Sequence, residues 1–201
     1  AEAVAILEKA ARRIGEMLGE DNPWIGVAWC NLAAARRMLG SMEESKRLYE
    51  AALAVLRSSW GEKNPYTQEA IHGLGVLHYS RKDYDRALEL FEQSFHLQVT
   101  LRGRTDPQTA VVHNDLGNTL GFLGRYEQAE EQHRRALEIR EGVHGKQHPA
   151  VADSCYNLGN ILDLTDRHAE SLRLHRRALE IRVDRLGVEH AEVRRSQGMI
   201  A

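Results

Sequence analysis

All four prolines of this chain stand on one lattice, Pro23, Pro65, Pro107 and Pro149, each 42 residues after the last. Five glycines keep the same spacing: Gly19, Gly61, Gly103, Gly145 and Gly187. No other feature narrows the fold so far. A chain that puts every proline in register is built of repeats. A period of this length in an alanine- and leucine-rich chain points to stacked helical hairpins, and so to a binding surface in place of a catalytic pocket.

Composition excludes several classes. Of 201 residues, 42% are hydrophobic and 28% charged, which is the balance of a folded water-soluble chain and not of a disordered one. No run approaches the ~20 apolar residues needed to cross a bilayer, so no membrane insertion is expected. A net charge of −2 gives no electrostatic footprint for nucleic acid. Cys30 and Cys155 fall at different phases of the repeat and read as free thiols of a reducing, cytoplasmic compartment.

The lattice divides the chain into one array. Residues 1–21 match the second helix of a partial repeat, and 22–63, 64–105, 106–147 and 148–189 are full repeats. Residues 190–201 open a further first helix, although Ala191 replaces the lattice proline there. The chain therefore reads as an excerpt of a longer array with uncapped ends, through which self-association is possible.

Each unit reads as two helices, A and B. Proline at the first helical position starts helix A, preceded by Asn22, Asn64 or Asp106, all strong N-caps, and by His148, a weaker one. Helix A runs to about Leu39, Tyr79, Leu123 and Leu164, and the turn carries Gly40, Lys82, Gly124 or Asp166. Ser41 and Glu44 have capping-box spacing at the first helix B. Helix B ends at the lattice glycine, with Leu18, Trp60 and Leu186 placed to close it. Leu32, Leu74, Leu116 and Leu158 share a core phase, followed by a small residue, Ala33, Gly75, Gly117 or Gly159. Mid-helix glycine costs about 1 kcal/mol against alanine, so three at one phase imply close approach of a neighbour.

These residues resemble a known family. Leu158-Gly159, the aromatic after the turn (Tyr84, Tyr126), the alanine three residues on (Ala87, Ala129) and the small residue late in helix B are similar to tetratricopeptide repeats. The 42-residue period and the segment Arg135–Pro149 resemble the long-form repeats of kinesin light chains. The resemblance implies an all-α fold, a right-handed α-solenoid of stacked antiparallel helix pairs with the A helices lining a concave groove. It departs at Arg36 and His78, which stand where Leu120 and Leu162 fill a buried phase.

Catalytic constellations are lacking in the sequence. His133 and His175, one period apart, stand where Tyr49 and Phe91 stand in other repeats, so a core aromatic phase explains them better than a metal. Gly142 to Lys146 resembles a phosphate loop only faintly and reads as a helix end. The octapeptide HRRALEIR occurs twice and reads as a solvated face, with Glu131–Arg135 and Arg134–Glu138 as pairs. No cofactor, metal or enzymatic activity is expected.

If A helices line the groove, its stripe follows from helical geometry: Val27, Cys30, Ala34, Arg37; Glu69, His72, Val76, Tyr79; Val111, Asn114, Asn118, Gly121; Asp153, Tyr156, Asn160, Asp163. Asn118 and Asn160 share a phase in adjacent repeats, and an amide matches both N–H and C=O of an extended backbone. The expected peptide-binding residues are Asn118, Asn160, Asn114, Tyr156, His72, Tyr79 and Arg37. With Arg37 the stripe's one cation, a carboxylate clamp is not expected; a neutral or mildly basic segment of a protein partner is. The function expected is a non-catalytic interaction scaffold that holds a peptide or helical segment. Alternatives are a regulatory or sensory module of a larger protein bearing an effector enzyme, and a structural spacer or self-assembling solenoid.

Overall fold

The computed structural model describes residues 2–186, together with Val193 and Gly198. Among them lie nine helices and no strand: α1 Glu2–Leu18, α2 Pro23–Met38, α3 Met42–Trp60, α4 Pro65–Ser80, α5 Tyr84–Arg102, α6 Pro107–Phe122, α7 Tyr126–His144, α8 Pro149–Asp163 and α9 His168–Leu186. Gly187 and Ala191 fall outside the described residues, and so does the side chain of Leu186. The chain forms two compact units, Ala1–Gly103 and Arg104–Ala201.

The A helices begin where local chemistry dictates. Side chains of Asn22, Asn64 and Asp106 accept from the backbone N–H two residues on, at 3.1, 2.9 and 2.8 Å. His148 does the same through Nδ1 at 3.2 Å, the longest of the four. Such caps contribute about 1 kcal/mol each. Helices α3, α5 and α7 start without one, and because Ser41 makes no side-chain cap bond the expected capping box does not form. The Ser45 hydroxyl, one turn on, donates instead to the Ala33 carbonyl at 2.7 Å and ties the two helices of the hairpin.

The two kinds of turn differ in backbone demand. Gly61, at the end of α3, has φ 79° and ψ 177°, a region open essentially to glycine alone. Gly103 and Gly145 repeat it, which is why glycine stands at these three lattice positions. The A–B turn also needs positive φ, yet Lys82 at 62° and Asp166 at 57° adopt it where Gly40 and Gly124 do elsewhere.

In the first unit α1 packs on α2, and hairpins α2–α3 and α4–α5 stack through α3 against α4. Tyr49, Leu56, Ile71, Leu74 and Leu77 form the core. Trp60 closes the end of α3 as expected, its ring 5.3 Å from Trp24 and 5.2 Å from Tyr66. In the second unit hairpins α6–α7 and α8–α9 stack through α7 against α8. Arg140 crosses that junction, donating to the Ala150 carbonyl at 3.1 Å and to Ser154 Oγ at 2.8 Å.

The small phase of helix A makes room for a ring from helix B. A Cβ on Gly75 would lie 2.8 Å from Phe91, and one on Gly117 or Gly159 would lie 2.7 Å from His133 or His175. Both histidines are buried, on the aromatic phase assigned from sequence. The departures at Arg36 and His78 are accommodated by carboxylates. Arg36 pairs with Glu8 and lies 3.3 Å from Glu44, and His78 Nδ1 meets Asp83 at 2.8 Å.

The repeated octapeptide pairs differently from expectation. Arg134 binds Glu130 at 2.7 Å and Arg135 binds Glu138 at 3.3 Å, in place of the Arg134–Glu138 and Glu131–Arg135 pairs. Glu130 also takes Arg167 at 2.7 Å, so this carboxylate is shared between Arg134 and an arginine of the next repeat.

Candidate functional site

Within each unit successive A helices touch, α2 against α4 and α6 against α8. The expected stripe therefore falls on two faces, taken separately.

On the α2–α4 face most stripe residues are engaged. Arg37 donates weakly to Ser80 at 3.4 Å. His72 leans on Phe91 with ring centroids 5.4 Å apart, and Tyr79 stands edge-on to Tyr84 at 5.6 Å. Cys30 was expected on the surface of this stripe, and it is buried in the core with Tyr49 and Ala70. Helix α2 is flanked by both α3 and α4, so its buried face is wider than a single-partner helix would have. Burial, with help from the Glu69 carboxylate, pushes the Cys30 thiol up to about 12. Burial likewise raises Cys155 to about 11. Neither thiol is a nucleophile near neutral pH.

On the α6–α8 face the amides gather. Asn157 Nδ2 donates to Asn114 Oδ1 at 2.8 Å, a bridge between the two helices. Asn114 thus serves the scaffold with the atom a peptide N–H would have sought. Tyr156 has one ring face under the Arg182 guanidinium at 5.1 Å and stands edge-on to His175 at 5.4 Å. Arg182 is held there by Asp153 at 2.7 Å.

Asn118 and Asn160 line one recess of about 200 Å³, with Gly121, Phe122, His133, Asn157, Ile161 and Leu164. Asn160 Oδ1 is buried with no hydrogen-bond partner among the described residues. Burying an unpaired amide oxygen costs about 1–3 kcal/mol, which a bound donor would recover. Beneath it, burial drives His133 down to about 4, with Arg140 adding to the effect. The imidazole is neutral at pH 7 and offers one donor and one acceptor.

A larger recess of about 560 Å³ lies between α1 and α2, lined by Glu8, Arg12, Glu16, Glu20, Ile25 and Trp29 among others. It is bigger but chemically poorer. Its polar lining is mostly long charged side chains that keep their hydration, and it holds no stripe residue.

Sequence reasoning brought Asn118 and Asn160 to this face and missed Asn157, Phe122, His133, Ile161 and Leu164. One signal was available. The phase of Gly121 carries Arg37, Tyr79 and Asp163 in the other three repeats, so Gly121 alone lacks a side chain there.

Comparison with known proteins agrees with this architecture. A family model described as tetratricopeptide repeat matches residues 24–98, 66–142 and 108–184, each match starting one residue after a lattice proline. No curated protein matches the sequence. Among solved structures, BtubC (BKLC) from P. vanneervenii superposes with a TM-score of 0.84 at 21% identity, covering 99% of this chain and 80% of that one. A putative kinesin light chain from Podosopora anserina, with nearly identical TPR-like repeats, gives 0.75 at 20% identity, covering 92% and 88%. The apo form of RapI gives 0.76 at 18%, covering 90% and 64%. At these identities the likeness is one of fold.

Proposed function

The chain belongs to the tetratricopeptide repeat family, and from that premise we propose that it is a non-catalytic scaffold holding an extended segment of a partner protein against its A helices. Repeats of this kind generally serve protein interaction. The finer reading places the segment along α6 and α8, its backbone amides gripped by Asn118 and Asn160. Tyr79, His72 and Arg37 would offer flatter contacts on α2 and α4, with Tyr156 and Asn114 bracing the main site. The observation that carries this reading is the α6–α8 recess, lined by both asparagines and holding a buried, unpaired Asn160 oxygen. No helix among the described residues is long and apolar enough to cross a membrane. A cytoplasmic site of action fits the two buried free thiols.

Peptides selected from a random displayed library test the reading. Asn118→Ala combined with Asn160→Ala should weaken the selected peptides by more than about tenfold, or ~1.4 kcal/mol, with helicity unchanged. Equal affinity in parent and double variant would remove the asparagines from the site.

A further inference from the structure

We propose that the recess beside Gly121 is a selectivity pocket for one primary-amide side chain, asparagine or glutamine, of the bound segment. This rests on the groove reading above and adds the chemistry of the residue selected.

The two hairpins of the second unit supply the comparison. In α8–α9, Asp163 Oδ2 lies 3.3 Å from Nε2 of the buried His175. The protein thus fills its own pocket with a side-chain oxygen. One repeat earlier, His133 occupies the phase of His175 and Gly121 that of Asp163. The side-chain oxygen is missing, and the recess of about 200 Å³ opens there. A ligand oxygen placed against His133 would restore what the next repeat makes internally.

The remaining groups decide which ligand oxygen fits. Nδ1 of both His133 and His175 is buried with no partner among the described residues. His175 Nε2 has the Asp163 carboxylate as its acceptor, so its proton sits there. We assign the proton of His133 to Nε2 as well, because an N–H at its buried Nδ1 would be left unsatisfied. His133 then offers a donor. Asn160 Oδ1 needs one. The ligand group must therefore accept at one atom and donate from another, which is the pattern of a carboxamide. A carboxylate would satisfy His133 but set a second oxygen against Asn160 Oδ1. It would also lose hydration where, among the described residues, no cationic side chain lines the wall. An ammonium or guanidinium would find no lining carboxylate among the described residues. Phe122, Ile161 and Leu164 form apolar walls suited to the methylene stem of the same side chain.

The test uses the whole chain and peptides selected on it from a random displayed library. Selected peptides should carry asparagine or glutamine at one fixed position, and changing that residue to alanine should cost more than about tenfold in affinity for the parent. Gly121→Asp supplies the internal carboxylate of the next repeat. A Cβ there meets only the flexible Cδ1 of Ile161, at 2.9 Å. In that variant the amide and alanine peptides should bind about equally. Asn160→Leu, which removes the acceptor without adding charge, should abolish the same difference and serves if Gly121→Asp folds poorly. Enrichment of acidic, basic or apolar residues at the Gly121-sensitive position would overturn the proposal. Peptides that depend on Asn118 and Asn160 but show no amide preference would overturn it while leaving the groove reading intact. Peptides indifferent to both asparagines would overturn both.

Discussion

Alanine in place of glycine should act with opposite sign at two positions of the second unit. Gly159, in α8, is buried, and a Cβ built on it lies 2.7 Å from His175 Cε1 and 2.8 Å from Nε2. Ordinary carbon contacts begin at about 3.5 Å, so the ring must retreat by roughly 0.8 Å. It has little room, being fully buried and tied to Asp163. Overpacking of this kind costs about 1–3 kcal/mol, while the better helix propensity of alanine returns about 1 kcal/mol. The tight packing puts the cost in the upper part of that range, for a net loss of about 1–2 kcal/mol. Gly142, exposed in α7, meets nothing within 4 Å of its Cβ, so only the propensity gain remains, about 0.5–1 kcal/mol. Urea unfolding followed by circular dichroism should therefore place the Gly159→Ala midpoint below the parent and the Gly142→Ala midpoint above it. A Gly159→Ala protein as stable as the parent would refute the claim that this phase is small to admit the ring.

Lys82→Gly should raise stability by about 0.5–1 kcal/mol in the same assay. A lysine at φ 62° bears a left-handed backbone cost that glycine lacks, whereas Asp166→Gly should gain less because aspartate tolerates that conformation. His133, pushed down to about 4 by burial when folded, should make the protein lose stability on acidification. Between its unfolded value of about 6.5 and its folded value, the unfolded chain takes up a proton that the native one refuses. His133→Phe mimics Phe91 against Gly75 and should flatten that part of the stability–pH curve. Part of the slope should remain, because burial lowers His113 in the same direction. A His133 ring titrating at or above 6.5 by NMR would contradict this.

The elements were legible because their signals are local. Prolines with capping residues before them start the A helices, and glycine at a backbone angle open to little else ends the B helices. Lys82 and Asp166 could be placed in the turn by register alone. What the sequence hid depends on third parties. Cys30 is buried because α4 covers a flank of α2 that a two-helix picture leaves open. Arg134 takes Glu130 because Arg167, from the next hairpin, already holds that carboxylate in place. Asn114 is engaged by Asn157, which sits off the stripe on the neighbouring helix. The recess arises from a side chain that is absent at Gly121, and absence is visible only once the surrounding walls are in position.

The proposed groove holds a partner segment along α6 and α8. Chemical-shift mapping of the protein on addition of a library-selected peptide tests it most directly, read at the side-chain amides of Asn118 and Asn160 and at the His133 ring. These groups and the backbone around Gly121 should shift most. Shifts confined to the outer surfaces of α7 and α9, or to Trp24, Trp60 and Tyr66, with Asn118 and Asn160 unmoved, would contradict it.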